Sequence, residues 1–494
     1  MELKKNKLEY WDSILSRVSN YEEGTDAIVP DTYPDIGRIV CARGMMNVKD
    51  AAPQKDRMLI SGTVKTAVLY LPEGESELRR LDIPLTFAHI EECRGIHEDT
   101  CCFARCMLAG VEAVAVNSRK VSVTARMVFD LSAWQPTSVL LTEAIENGDP
   151  SIETQCENWE ITLIDRLSVN DFTVLEDAQL ADADDLDLLH ACCDFRPTEC
   201  RAMNGKAVVR GDAVVTGMGL QPDGALRTFE QTSNFMQVFP CEGLEEGTPV
   251  SVRLAANSMD CRVEPGGILS YSVGATAMLC AEKSHALCTV SDLYSTTNEL
   301  RTEMRNLSLQ EHKTAGRLSA ECTRDIPLGE SVSHLVQASA VMTGSPAADG
   351  EGRLNVPVIC QGIYQNEDGV THSFAKPMTL EFPADAGRCE QCRVQIAGTV
   401  CGKEGLTLRI RLEGDAIEGG RRELRDLTEV ALGDPLPPSR EGVTLVLRYL
   451  EGEEALWDVA RKCRTTVAAI RGANDLGENE GSVSGRMLLI PMGD

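Results

Sequence analysis

Alternation of apolar and polar residues at period two runs through much of the chain. In VSVTARMVF, Val121, Val123, Ala125, Met127 and Phe129 share one face, opposite Ser122, Thr124 and Arg126. Such a pattern predicts a half-buried strand. LSYSVGATAML repeats it with Leu269, Tyr271, Val273, Ala275 and Ala277, and LTLRIRLEG with Leu406, Leu408, Ile410 and Leu412. The turn signals Glu73-Gly74, Asp223-Gly224 and Asp368-Gly369 each precede a strand-like run reaching Phe87, Phe239 or Phe382. GTVKTAVLY from Gly62 has a counterpart in GDAVVTGMG from Gly211. A long internal period is therefore expected, with three β-rich units at 25–150, 170–300 and 315–430, each a sandwich or partly closed barrel.

Three segments break the alternation. Leu8, Trp11, Ile14, Leu15 and Val18 recur at three- and four-residue spacing, which predicts a helix within residues 1–24. STTNELRTEMRNL, residues 295–307, is polar with helical propensity and is expected to bridge the second and third units. EDAQLADADDLD, residues 176–187, lacks the mid-loop glycine and closing glutamate of a calcium loop and reads as an acidic linker or the start of a helix.

A proline-rich linker, GDPLPPSREG at 433–442, precedes a last module at 443–494. There TLVLRYL predicts a strand and ALWDVARKC a helix. TTVAAIRGAND, capped by Thr465 or Thr466, predicts a second helix, and MLLIP a final strand. The expected fold class is mainly β: three sandwich-like units followed by a small βααβ module.

The length of 494 residues suits about three domains at roughly 150 residues each. Seventy-six acidic against 48 basic side chains give a net charge of −28, and aromatic residues are only 4%. That field repels phosphate backbones and anionic lipid, and little is available to stack on bases, so nucleic acid is not an expected partner. The N-terminal MELKKNKLEYWDS has no apolar leader pattern, and no run is long enough for a membrane span. Nineteen cysteines, an odd number, suit reduced thiols in a cytoplasm.

The last module, with LWDVARKCRTTVAAIRGAND followed by MLLIP, resembles the lysin motif (LysM) of peptidoglycan- and chitin-binding proteins. VPDTYPDIGRIV at 29–40, GTVKTAVLY and LDIPLTF at 81–87 are similar to the SPOCS domain of bacterial spore-coat proteins. Three SPOCS-like units before a terminal lysin motif resemble the clostridial-type spore-coat morphogenetic proteins. The resemblance implies a non-catalytic adaptor in the mother-cell cytoplasm at the forespore surface. Its terminal module would dock on the coat's basement ATPase, stage IV sporulation protein A, among other coat proteins, and peptidoglycan is a further implied partner.

The Gly-Asp-Thr-Leu-Trp loop usual in sugar-binding lysin motifs is replaced by Glu453, Glu454, Ala455, Leu456 and Trp457. Losing the glycine and the threonine hydroxyl hinders close approach to a polysaccharide, and two carboxylates suit a basic protein surface instead. The implied groove is completed by Ala473, Asn474, Asp475 and Leu476. A glycan-binding envelope protein is the alternative.

Candidate chemistry is sparse. Cys389 and Cys392 have the spacing of a redox pair or half a zinc site, but no second CxxC or closely spaced histidine pair accompanies them. Cys101, Cys102 and Cys106, and Cys192, Cys193 and Cys200, read as buried small hydrophobes or incidental surface thiols. His89, His97, His190, His285, His312, His334 and His372 are scattered, and no nucleophile turn or phosphate loop occurs. No catalytic residue, cofactor or metal is expected.

Overall fold

A computed structural model describes residues 1–492 except 76, 147, 182, 184, 385, 386, 438–442, 451, 452, 478–480 and 484. It is mainly β, 76% strand and 3% helix, in several sheets of which none closes on itself. The units are therefore open, and the barrel half of the expectation is not what forms.

The first stretch contains β1 (Glu2–Ile28), β2 (Ile36–Gln54), β3 (Arg57–Pro72), β4 (Arg79–Glu92), β5 (Cys101–Asn117) and β6 (Lys120–Glu146). β2, β3 and β4 form an antiparallel meander, and β6 pairs with β1 on one side and β5 on the other. The meander and the second sheet bury a common core between them, with Met58, Tyr70 and Phe87 facing Val123, Met127 and Phe129. Alternation along β6 produces this core, since every second residue points inward.

The second stretch has β7 (Ile152–Gln179), β8 (Asp187–Met203), β9 (Lys206–Leu220), β10 (Leu226–Pro240), β11 (Val250–Glu264) and β12 (Ile268–Ser295). Its meander is β8-β9-β10, and β12 lies between β7 and β11. β1 and β7 touch edge to edge at Trp11 and Ile164, which joins two such sheets into one of six strands. Phe195, Val209 and Phe235 pack against Tyr271, Val273 and Ala277.

The third stretch has β13 (Asn298–Gln310), β14 (Lys313–Pro327), β15 (Val332–Met342), β16 (Ala347–Ala348), β17 (Arg353–Asn366), β18 (Thr371–Pro383), β19 (Arg388–Cys401), β20 (Gly405–Glu418) and β21 (Arg421–Pro435). β17 is the centre of its meander, β20 pairs with β14 and β19, and β13 pairs with β21. Val356, Cys360 and Phe382 pack on Leu408, Ile410 and Leu412. The turns at Gly74, Gly224 and Gly369 connect β3 to β4, β9 to β10 and β17 to β18, each with φ between 75° and 84°. Glycine tolerates this left-handed conformation without Cβ strain.

Two expected helices are strands. Residues 2–24 lie in β1, which pairs with β6 along its length. Leu8 and Tyr10 face one core and Trp11 another, and a bulge at Ile14, between the Ser13–Trp134 and Leu15–Ala133 pairs, shifts the phase so that Leu15 enters the first sandwich. Two buried faces and one inserted residue convert a period of two into spacings of three and four. Residues 298–307 lie in β13, where pairing with β21 and burial of Leu300, Met304 and Leu307 override helical propensity. Bulges also occur at Asp165 opposite the Ala281–Glu282 step, and at Ala315 opposite the Ala416–Ile417 step.

Residues 152–169 of the stretch expected between units belong to β7, and 176–179 end it; no helix begins there among the described residues, and Asp182 and Asp184 lie outside them. Residues 433–435 of the expected linker finish β21, and 438–442 lie outside the described residues.

The N-terminal half of β1 with the end of β6, the first half of β7 with the end of β12, and β13 with β21 form three two-stranded ribbons beyond the sandwiches. They share one core: Leu8, Tyr10 and Leu141, with Ile161, Leu163 and Leu287, and with Leu309 and Leu424. Beside it is a polar junction. His312, between β13 and β14, lies 3.3 Å from both Glu282 of β12 and Glu390 of β19. Glu390 also pairs with Arg253 of β11, whose guanidinium lies 5.9 Å from the Trp134 ring of β6. Burial opposes a charged imidazole, but the hydrogen bonds and charges of Glu282 and Glu390 outweigh it and raise the His312 pKa.

Candidate docking site in the C-terminal module

The last stretch has β22 (Leu445–Tyr449), β23 (Glu454–Ala455), α1 (Leu456–Cys463), α2 (Val467–Asn474), β24 (Ser482–Val483) and β25 (Met487–Pro491). β22 pairs with β25, and β23 with β24. Thr466 caps α2, its hydroxyl accepting from the Ala469 amide at 3.0 Å. Leu456, Val459, Ala460, Ile470, Leu488 and Ile490 form the core, joined by Tyr294 from the end of β12.

Tyr294 is part of an anchor. Its ring meets Trp457 at 4.8 Å in an edge-on arrangement, and its hydroxyl donates to the Thr465 carbonyl at 2.7 Å. Trp457 donates its indole N–H to Asp292 Oδ2 at 2.8 Å, and Arg461 pairs with the other oxygen of that carboxylate. α1 is thus turned toward β12.

The groove residues read from the sequence divide by what they touch. Leu456 is core, and Trp457 is turned to Asp292 and Tyr294. Glu454 is held by Arg448, with contacts of 2.9 and 3.2 Å, and by Lys462 at 3.8 Å. Asn474 locks α2 to β25: its amide donates to the Ile470 and Leu489 carbonyls at 2.7 and 2.6 Å, and its oxygen accepts from the Leu489 amide at 2.7 Å. Asp475 is the left-handed cap of α2, Ala473 is half-buried, and Leu476 packs on the core. Glu453 accepts from Ser482 at 2.8 Å and is exposed, as is Ala455. Among the nine, Glu453, Ala455 and Asp475 are the exposed ones.

The surface missed in the sequence is the outer face of the β22–β25 sheet. Leu447, Tyr449 and Met487 are 57–58% exposed, and Leu445 joins them, with Tyr449 directly opposite Met487 and Leu447 opposite Leu489. The signal was present in TLVLRYL: Val446 and Leu450 already supply an inward face, so Leu445, Leu447 and Tyr449 are a second apolar set with nothing to cover them.

Elsewhere, burial disfavours the thiolate at several cysteines. The sulfurs of Cys389 and Cys392 lie 2.8 Å apart in β19, and the adjoining Cys389 thiol together with burial pushes Cys392 far up, the reverse of an activated thiolate. Burial pushes Cys101 up to about 11 and Cys102, Cys106, Cys193 and Cys200 up to about 12. No group of three or more His, Cys, Asp or Glu among the described residues is arranged to hold a metal ion.

Residues 35–116 match the family model for the SipL, SPOCS domain. The match spans β2 to the end of β5, that is, the first meander and the strand packed against it. The SPOCS domain supports a sporulation-related role. No curated protein and no solved structure matches the chain. No described helix is long and apolar enough to cross a membrane.

Proposed function

We propose that the chain is a non-catalytic adaptor of spore-coat assembly, acting in the mother-cell cytoplasm at the forespore surface, with its C-terminal module as the docking piece. In this reading the three stretches are copies of one SPOCS-like module, since β1, β7 and the consecutive β13 and β14 pair with late strands, each stretch packs a meander on that sheet and each carries a bulge near the same step. The terminal module is LysM-like, and its partner is the basement ATPase, stage IV sporulation protein A.

One observation carries the reading: the outer β22–β25 face presents Leu445, Leu447, Tyr449 and Met487 to solvent while α1 is anchored to β12. A contiguous apolar face on so acidic a protein suits a protein partner. Glycan binding is less well supported, because the indole N–H of Trp457 and the amide of Asn474 already have protein partners.

The test uses the full chain with Leu447→Glu and Tyr449→Glu together. Binding to purified stage IV sporulation protein A should weaken at least tenfold with the melting temperature unchanged. Undiminished binding by the double variant, or capture by peptidoglycan sacculi in preference to the ATPase, would overturn the proposal.

A further inference from the structure

A cavity of about 370 Å³ lies where the three sandwiches face one another. Each contributes the first strand of its meander and a strand paired with β6, β12 or β20: β2 and β5, β8 and β11, β15 and β19. Its volume falls within the roughly 300–1,000 Å³ typical of small-molecule pockets.

The lining is cationic in a protein whose net charge is −28. Arg43, Arg105, Arg196 and Arg393 face it, against one lining carboxylate, Asp194. Asp194 is shared, lying 3.5 Å from Arg196 and 3.6 Å from Arg393. Arg105 reaches Asp130 at 3.1 Å and the Cys392 carbonyl at 2.8 Å. Arg43 has no carboxylate within ion-pair distance among the described residues, and its hydrogen bond is a 3.5 Å contact to the Ala42 carbonyl. His190, which donates from Nδ1 to the Gly44 carbonyl at 2.8 Å, is held down to about 4 by burial and by Arg43, so it is neutral and adds nothing to this charge.

Two lining groups also lack protein partners, and both are donors. Arg105 Nε and Gln395 Nε2 are buried with no hydrogen-bond acceptor. Leaving a donor buried and unpaired is unfavourable, so two beside an excess of guanidinium charge mark a place where an acceptor with negative charge belongs. The remaining wall is apolar, including Met46, Leu108, Val214, Leu254 and Val341.

We infer that this cavity is a binding site for an amphipathic small anion, whose acidic head is met by Arg43, Arg105 and Gln395 and whose apolar body lies against the aliphatic wall. The occupant touches strands of all three sandwiches, so binding also ties their relative placement to the ligand. The site is separate from the β22–β25 face and does not depend on it.

The full-length protein is titrated calorimetrically with decanoate and, as a neutral comparison, decanol. One equivalent of decanoate should bind and raise the melting temperature, with decanol at least tenfold weaker. Arg43→Gln and Gln395→Met should each weaken decanoate at least tenfold while leaving the ligand-free melting temperature equal or higher, because each removes a group the empty protein leaves uncompensated. A purely structural role would instead lower that temperature. Absence of decanoate binding, equal binding by both variants, or decanol binding as tightly as decanoate would each overturn the inference.

Discussion

His312 Nε2, between β13 and β14, meets a carboxylate oxygen of Glu390 in β19 at 3.3 Å, and the opposite ring nitrogen lies 3.3 Å from Glu282 of β12. One imidazole thereby joins strands of the second and third stretches beside Trp134 of the first, at a ring distance of 6.0 Å. Burial works against both carboxylates, but Arg253, His312 and Arg388 hold Glu390 well below the ordinary range, and hydrogen bonds from His312 and Thr314 lower Glu282.

Stability should follow this junction with pH. The His312 pKa is raised on folding, so its contribution is complete below about 6.5 and is lost as pH rises through the folded value. Glu282 and Glu390 are lowered, so theirs is complete above about 4.3 and is lost as pH falls through their folded values. The melting temperature should therefore fall as pH rises above about 6.5, and His312→Gln should flatten that slope. It should also cost about 3–5 kcal/mol at the lower pH, since two buried carboxylates lose a partner. A slope unchanged by the substitution would dismiss the junction as its source.

Asp292→Ala should loosen the C-terminal module without unfolding it. The indole N–H of Trp457 and the guanidinium of Arg461 both lose their acceptor. Hydrogen bonds to a charged group are worth about 1.5–3 kcal/mol each. Limited proteolysis should cut earlier before β22, while hydrogen exchange within the three sandwich cores stays as in the unaltered protein.

Asn474→Ala should act inside that module. Two hydrogen bonds between α2 and β25, and a third to the Ile470 carbonyl within α2, pass through this side chain, and the Leu489 amide and carbonyl lose their partner. A loss of about 2–3 kcal/mol is expected, seen as faster amide exchange in α2 and β25. Were Asn474 chiefly a ligand contact, exchange would not change.

Gly362→Ala should destabilise the third sandwich even though alanine is ordinarily no worse than glycine in a strand. Gly362 stands opposite Phe374, and an added Cβ would sit 2.5 Å from the Gln337 carbonyl and 2.6 Å from the phenyl ring. Overpacking of this kind costs about 1–3 kcal/mol. Denaturant unfolding of the variant measures it directly, and an unchanged midpoint would show that the ring simply moves aside.

Sequence patterning by itself determined the β character and the strand positions, because alternation such as Val121 to Phe129 is a local property that survives in any open sheet. It also determined the turns at Gly74, Gly224 and Gly369, and the two helices between β22 and β25 after residue 443, where periodicity changes sharply, but not the two-residue strands β23 and β24. Tertiary structure alone decided that residues 2–24 are strand, since the bulge at Ile14 and burial on two faces exist only once β1 lies between β6 and β7. It also decided that Trp457 faces Asp292 across 165 residues, and that arginines 43, 105, 196 and 393 converge on one cavity. Contacts between groups so distant in the chain leave no period to read; they arise from how sheets pack, not from spacing along a strand.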